Sequence, residues 1–166
     1  MDDGLLPDGI VALARRVIAE NAAIGRTVAL AESCTGGLVA AALTEIPGSS
    51  AVLERGFVTY SNESKQESLT VSSDIIETFG AVSIACVWAM AQGAIAHSHA
   101  DVAVAISGIA GPDGGSEAKP VGTVVFARAF RDGDHEPEGE LRHFDGDSRS
   151  EIRRQATLVA LELLLP

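Results

Sequence analysis

A cluster of carboxyl, hydroxyl and thiol groups follows a short apolar stretch near residue 30. The sequence reads V-A-L-A-E-S-C-T-G-G from Val28 to Gly37 and continues as an apolar run, Leu38 to Leu43. This pattern predicts a strand, a tight polar turn and a helix. The first N–H groups of a helix are unpaired and carry the positive end of its dipole, so the turn can hold an anion or stabilise an oxyanion. The alternative is that Ser33 or Thr35 only caps the helix, which is the commoner role of such residues.

A second polar turn contains one of the chain's two lysines. The only tyrosine, Tyr60, begins the stretch Y-S-N-E-S-K, which ends at Lys65 as a helix starts. Lys119 is the other lysine, against ten arginines. Lysine can lose its proton where arginine cannot, and the positive end of the helix dipole disfavours the charged amine. Lys65 is therefore a candidate general base, with a solvated surface lysine as the alternative.

A third candidate is the glycine-rich loop G-I-A-G-P-D-G-G from Gly108 to Gly115. It matches neither a Walker A motif nor G-x-G-x-x-G, so it indicates only a close backbone approach to a ligand or to a neighbouring strand. A tight loop stiffened by Pro112 is the alternative. The sequence contains no H-E-x-x-H motif and no paired C-x-x-C motif, so we expect no zinc site.

The turns must be positioned by the surrounding helices and strands. Helices and strands alternate in the first part of the chain, and strands cluster in its later part. Apolar spacing predicts helices at Pro7–Asn21, Gly36–Thr44, Asn62–Leu69 and Ile75–Phe79, one starting after Ser83, and one starting at the capping box Ser148-x-x-Glu151. Strands are predicted at Thr27–Ala31, Ala51–Tyr60, Asp101–Ser107, Gly122–Ala129 and Leu141–Phe144. This order favours an α/β fold, a three-layer α/β/α sandwich with a mixed central sheet.

Composition bounds the class of protein. The 166 residues suffice for a single domain spanning 1–166, and 46% hydrophobic with 4% aromatic residues predicts a core of Ala, Val, Ile and Leu. The net charge of −11 argues against nucleic acid as a partner. We expect neither a signal peptide nor a membrane span, and the two cysteines, without metal or redox spacing, fit a cytoplasmic location. The oligomeric state stays open.

Several motifs together resemble the CinA C-terminal domain, the nicotinamide-nucleotide amidase family. The resemblance rests on A-E-S-C-T-G-G at 31–37, G-F-V-T-Y-S-N-E-S-K at 56–65, G-A-V-S at 80–83, S-G-I-A-G-P-D-G-G at 107–115, K-P-V-G-T-V at 119–124 and R-R-Q-A at 153–156. It covers nearly the whole chain. It implies an α/β/α sandwich that hydrolyses the carboxamide of nicotinamide mononucleotide to ammonia and nicotinate mononucleotide. It also implies a serine nucleophile with tyrosine and lysine partners, which match Ser33, Tyr60 and Lys65.

These inferences combine into one expected mechanism. Ser33 attacks the carboxamide after losing its proton to a Tyr60–Lys65 pair, and N–H groups at Thr35 and Gly36 stabilise the oxyanion. No metal or other cofactor is required. The residues that we expect to contact the nucleotide are Gly37, Ser107, Gly108, Gly111, Arg153 and Arg154. Among them, the two arginines, together with the Gly108–Gly115 loop, are the candidates for binding its phosphate.

Two alternatives accompany this expectation. Cys34 adjoins Ser33 and a thiol is intrinsically the better nucleophile, but no histidine that would form a thiolate stands in these motifs. We therefore predict that Cys34 is buried beneath the turn and that Ser33 attacks. The other alternative is a non-catalytic nucleotide-binding or competence-linked accessory domain.

Overall fold

The computed structural model describes residues 4–166; residues 1–3, part of the acidic N-terminal stretch, lie outside the described residues. The helices are α1 (Asp8–Ala23), α2 (Leu38–Thr44), α3 (Asn62–Leu69), α4 (Ser73–Phe79), α5 (Ile84–Ala96) and α6 (Arg149–Leu163). The strands are β1 (Val28–Glu32), β2 (Leu53–Val58), β3 (Val102–Gly108), β4 (Thr123–Phe130) and β5 (Glu138–His143). A 3₁₀ turn at Ser49–Ala51 precedes β2.

The five strands form one mixed sheet in the order β2-β1-β3-β4-β5. β1 runs parallel to both β2 and β3, whereas β4 runs antiparallel to β3 and to β5. Glu32 at the end of β1 therefore lies level with Val58 on one side and Ile106 on the other. The carboxyl ends of three parallel strands meet at one edge, which is where ligands bind in open α/β sheets.

Helices cover both faces of the sheet. Helices α1, α2 and α6 enclose one apolar core with residues such as Leu30, Ile106 and Phe126. The other core lies under α3, α4 and α5 and is built largely from alanines of β1 and β3 with Val87 and Met90. This arrangement confirms the predicted α/β/α sandwich with a mixed sheet.

A close contact between α3 and α5 depends on a glycine. A Cβ atom at Gly93 of α5 would lie 2.0 Å from the carbonyl oxygen of Leu69, so only glycine lets the end of α3 pack there. The small alanines of the sheet bring α5 itself close to the strands. As a result α3 is held directly beside the carboxyl edge of the sheet.

Most predicted elements lie within a few residues of their observed bounds, but α2 begins later than expected. It starts at Leu38 rather than Gly36, because Gly36 and Gly37 have φ of +59° and +99° and belong to the turn. At α6, Ser148 Oγ accepts the N–H of Glu151 at 3.2 Å, while the Glu151 carboxylate pairs with Arg154 instead of returning to the cap. Only half of the predicted capping box therefore forms.

None of the helices in residues 4–166 combines the length and the apolar composition that a membrane-crossing segment needs.

Candidate active site

Ser33 continues β1 by one residue and is held by its backbone. Its N–H donates to the carbonyl of Ile106 at 2.9 Å, and its carbonyl accepts the N–H of Gly36 at 3.0 Å. The chain therefore leaves the sheet in a tight turn directly after the serine. The Ser33 side chain is 8% exposed and faces a cleft at the carboxyl edge.

The helix cap is Glu32, not Ser33 or Thr35. The buried Glu32 carboxylate accepts the N–H of Val39 at 3.0 Å and that of Ala40 at 3.1 Å. These are first-turn donors of α2, and a carboxylate suits the positive end of the helix. Because Glu32 takes the capping role, the hydroxyl of Ser33 is free for another partner.

That partner is Lys65. Thr59 N–H donates to the Glu32 carbonyl at 2.9 Å, which sets the start of the second turn beside Ser33. Ser61 caps α3 by accepting the Ser64 N–H at 3.0 Å. Lys65 is then the fourth residue of α3, one turn in, and helical side chains lean toward the N-terminus. Its ammonium nitrogen consequently reaches back to Ser33 Oγ at 2.9 Å.

The Lys65 side chain is 1% exposed, which overturns the alternative of a surface lysine. Its Nζ also lies 2.8 Å from the Thr59 carbonyl and 3.2 Å from the Tyr60 carbonyl. Burial lowers the pKa of Lys65, against a smaller opposing effect of Cys86 and Cys34. A neutral amine fits this geometry, because its two N–H groups serve the two carbonyls while its lone pair faces the hydroxyl of Ser33.

Cys34 lies beneath the turn, as predicted. Its side chain is buried in the core formed with α1, α2 and α6. Burial raises the pKa of the Cys34 thiol to about 11, outweighing the opposite effects of Arg153 and Lys65. The thiol is therefore protonated at neutral pH and is a poor nucleophile.

The Tyr60 hydroxyl is not paired with Lys65. Its side chain is 61% exposed, and its hydroxyl accepts a hydrogen bond from Arg149 Nη2 at 2.6 Å. Only the backbone carbonyl of Tyr60 contacts the lysine. The structure thus corrects the expected Tyr60–Lys65 pair, since the turn directs the phenol outward while α3 directs the amine inward.

The cleft has a volume of about 280 Å³. One wall carries Ser33, Cys34, Lys65 and Tyr60, and the other is the segment from Ser107 to Gly115, with Arg149 also at the lining. Ser107, Gly108 and Gly111 therefore lie on the lining of the cleft. Gly37 does not line the cleft; its Cβ position lies 3.6 Å from Val58, beside β2. Within residues 4–166, His, Cys, Asp and Glu side chains form no group of three that could hold a metal ion.

Steric contacts with neighbouring residues explain why two positions of the loop are glycines. A Cβ at Gly108 would lie 2.8 Å from Val124 Cγ2, and one at Gly111 would lie 2.5 Å from Val121 Cγ1. Gly111 also has φ of +77°. The close approach to a neighbouring strand that the sequence offered is therefore present at Gly108, and the loop also lines the cleft.

Arg153 and Arg154 lie outside the cleft. Arg153 donates to the carbonyls of Cys34 at 3.0 Å and Thr35 at 3.3 Å from behind the turn. Arg154 is exposed and pairs with Glu151. Both line a separate recess near Leu38. The structure corrects their expected role as cleft residues.

Arg149 is the cation that sequence reasoning missed. It is the first residue of α6, and it donates to the Gly111 carbonyl at 2.8 Å as well as to Tyr60. A weak signal existed, because the cap Ser148 places the next residue at a helix start. Its proximity to Tyr60, 89 positions earlier, depends on the tertiary fold.

Two buried hydroxyls near the serine have no hydrogen-bond partner among the described residues, those of Thr35 and Thr59. The backbone N–H groups of Cys34 and Thr35 likewise donate to no other residue in the described chain. The Gly36 N–H, in contrast, is engaged by the Ser33 carbonyl. After Ser33, the N–H groups of Cys34 and Thr35 therefore lack an acceptor in another residue of the described chain, whereas that of Gly36 has one.

The family model of the CinA C-terminal domain matches residues 10–166. This chain belongs to that family. Over 142 residues it is 56% identical to the nicotinamide-nucleotide amidohydrolase PncC of Escherichia coli strain K12, which covers 84% of this chain and 83% of that protein. It is 49% identical over 160 residues to a CinA-like protein of Syntrophotalea carbinolica, covering 93% of this chain and 38% of that protein.

Solved structures of the CinA family agree with the fold. The crystal structure of the competence/damage inducible protein CihA from Agrobacterium tumefaciens superimposes with a TM-score of 0.93 at 48% identity, over 97% of this chain and 96% of that one. A CinA superfamily protein from Escherichia coli superimposes with a TM-score of 0.88 at 34% identity, over 98% and 93%. The family resemblance read from the motifs is confirmed.

Proposed function

We propose that this protein hydrolyses the carboxamide of nicotinamide mononucleotide, releasing ammonia and nicotinate mononucleotide. The observation that carries the proposal is the buried Lys65 amine 2.9 Å from Ser33 Oγ at the cleft. The 56% identity to a protein named nicotinamide-nucleotide amidohydrolase supplies the substrate. A binding module needs no amine buried against a serine, so the pair favours catalysis over an accessory role.

Lys65 is the general base of this mechanism. In the neutral form its lone pair takes the Ser33 proton as Oγ attacks the carboxamide carbon. The new C–O bond converts the amide into a tetrahedral oxyanion. The resulting ammonium of Lys65 is stabilised by the Thr59 and Tyr60 carbonyls that already contact it.

Collapse of this intermediate breaks the C–N bond. Lys65 returns its proton to the leaving nitrogen, so ammonia departs and an ester with Ser33 remains. A water molecule then loses a proton to Lys65 and attacks the ester. Collapse of the second intermediate, with return of the proton to Ser33 Oγ, releases the carboxylic acid and restores the pair. The acid then loses its proton to solvent and becomes the carboxylate product.

The backbone of the turn stabilises both oxyanions in this proposal. The N–H groups of Cys34 and Thr35 are the free donors next to Ser33. Donors fixed in a water-poor site act strongly on developing charge because they need no reorganisation during the reaction. We therefore assign the oxyanion site to these two amides rather than to Gly36, whose N–H is bonded to the Ser33 carbonyl.

Arg149 is the proposed contact for the substrate's phosphate. It is the arginine on the cleft lining, and arginine suits phosphate because its guanidinium donates two parallel hydrogen bonds. The loop from Ser107 to Gly115 forms the facing wall. The nucleotide would then lie between this loop and Tyr60 with its carboxamide at Ser33.

Ammonia release from nicotinamide mononucleotide by the purified protein tests the proposal. We expect turnover by the wild-type protein and none above background by Ser33→Ala, whose fold is checked by circular dichroism. Substrate binding without ammonia release by the folded wild-type protein would support the accessory-domain alternative instead.

A further inference from the structure

Arg153 binds the back of the nucleophile turn, and nothing in the proposed reaction yet uses it. The half-buried guanidinium comes from α6 and reaches the carbonyls of two consecutive residues, Cys34 through Nε and Thr35 through Nη2. Gly36 leaves room for it, because a Cβ at that position would lie 3.3 Å from Arg153 Nη2. The contact therefore joins the last helix to the turn that follows Ser33.

The turn lies between Arg153 and the cleft. Cys34 lines the cleft and Arg153 does not, whereas Arg153 lines the separate recess with Leu38. In a trans peptide the C=O and the following N–H point in opposite directions. A carbonyl of Cys34 held toward Arg153 thus turns the N–H of Thr35 away from Arg153.

From this geometry we propose that Arg153 is a positioning residue for the oxyanion site: by holding the Cys34 carbonyl it fixes the 34–35 peptide with the Thr35 N–H aimed at the developing oxyanion. This inference rests on the proposed function. It gives a reason for the charged donor, because hydrogen bonds to two consecutive carbonyls hold the peptide planes of the turn in one orientation. It also explains why the Thr35 N–H has no acceptor in the described chain.

The first test separates positioning from substrate contact by steady-state kinetics. Loss of one oxyanion donor lowers kcat about 10²–10³-fold in well-studied hydrolases. We expect Arg153→Ala to lower kcat by roughly 10-fold or more with KM within about threefold, since a misaligned donor acts partly. Arg153→Lys, which reaches one carbonyl instead of two, should have a kcat between those of the wild-type protein and Arg153→Ala. Arg154→Ala, the exposed neighbour, should resemble the wild-type protein.

The second test uses a reagent with no phosphate and no nucleotide. Phenylmethylsulfonyl fluoride sulfonylates an activated serine, and its sulfonyl oxygen needs the same donors. The rate of Ser33 labelling, followed by mass spectrometry, should fall at least fivefold in Arg153→Ala and stay unchanged in Arg154→Ala. Addition of free guanidinium at millimolar concentration should restore part of the rate.

Several results would overturn the inference. Equal kcat and equal labelling in Arg153→Ala and Arg154→Ala would remove the positioning role, and a raised KM at unchanged kcat would make Arg153 a substrate contact. If Arg153→Ala does not fold, the test uses Arg153→Lys instead. A kcat and a labelling rate equal to those of the wild-type protein in that variant would contradict the positioning role. A wild-type protein with neither ammonia release nor labelled Ser33 refutes the proposed function itself, which distinguishes the two failures.

Discussion

At the scale of single residues, the decisive feature is a lysine whose environment differs from that of every other cation in the described chain. Lys65 is buried and paired with a hydroxyl, whereas Lys119 donates to the Phe79 carbonyl at the surface. If Lys65 must be neutral, Lys65→Arg should lose about 10²–10⁴-fold in kcat, like Lys65→Ala, because arginine cannot accept the proton. Lys119→Arg is the matched control and should stay active. Near-normal turnover by Lys65→Arg would exclude the general-base role.

The lowered pKa of Lys65 also predicts a pH dependence. In the unfolded chain the amine titrates near 10.5, and in the native protein burial makes it lose the proton at lower pH. Between these two pKa values the unfolded state binds more protons, so the free energy of unfolding rises with pH. The rate should rise as the pH passes the native pKa of Lys65, because the neutral amine forms there. Urea titrations at several pH values give the free energy of unfolding of the wild-type protein and of Lys65→Met. If that free energy changes with pH equally in the two proteins, the expected effect of Lys65 on stability is contradicted.

The adjacent serine and cysteine make opposite predictions about which atom attacks. Because the Cys34 thiol has a pKa raised to about 11, we expect Cys34→Ala to keep a substantial fraction of the ammonia release while Ser33→Ala has none. Mass spectrometry of a trapped acyl-enzyme should locate the added mass on Ser33. An adduct on Cys34, or an inactive but folded Cys34→Ala, would show that the serine mechanism is wrong.

Tyr60 and Arg149 form one hydrogen-bonded unit, so their substitutions should not be additive. Tyr60→Phe removes the acceptor of the 2.6 Å bond and Arg149→Ala removes its donor. Kinetic constants for nicotinamide mononucleotide in the two single variants and the double variant form a double-mutant cycle, and we expect a coupling of about 0.5–3 kcal/mol. Independent effects would mean that the pair does not act together on the substrate.

At the scale of elements, the start of α2 depends on a carboxylate rather than on a hydroxyl cap. Glu32→Gln keeps the shape but replaces one acceptor oxygen by an N–H₂ group that faces a backbone N–H. We expect a loss of about 1–3 kcal/mol in the free energy of unfolding, because a buried donor is left without a partner.

The control is Glu20→Gln, which removes an exposed i,i+4 pair with Arg16 and should cost about 0.3–0.5 kcal/mol. Urea unfolding followed by circular dichroism measures both. Equal effects of the two substitutions would show that the cap is unimportant.

At the scale of the whole molecule, the site draws on both helix layers at once. Ser33 follows β1, an interior strand of the sheet. Lys65 lies on α3 of one layer, and Arg149 and Arg153 lie near the start of α6 of the other. The loop after β3 completes the cleft. The two layers must therefore fold on the same sheet for the site to exist, as expected for the single domain that we propose.

Cooperative unfolding tests this. Leu161→Ala in the buried core of the α6 layer should destabilise the protein by about 2–5 kcal/mol. Trp88, the only tryptophan, lies on α5 in the other layer. The unfolding transition followed by its fluorescence should therefore move to a lower urea concentration together with the transition followed by circular dichroism. Leu5→Ala, at an exposed position, should leave both unchanged. Separate transitions for the two signals would contradict a single cooperative domain.

The sequence alone determined the kinds of elements, their order, the family and the position of the reactive turn. These properties are local: apolar spacing shows in a window of several residues, and caps such as Ser83 and Ser148 act three residues ahead. The serine and the lysine were both identified in this way. Their distance was not, because 32 residues separate them along the chain.

Only the tertiary structure decided which side chains meet. The parallel pairing of β1 with β2 places Ser33 next to Thr59, and the lean of α3 then directs Lys65 inward while Tyr60 points outward. The sequence could not distinguish Arg149 from Arg153 and Arg154, which all lie on α6 within six residues. Arg149 and Arg153 are four residues apart and share one face of α6, so the packing of α6 places the first at the cleft and the second, one turn later, behind the turn. Arg154 lies about 100° further around the helix and is exposed.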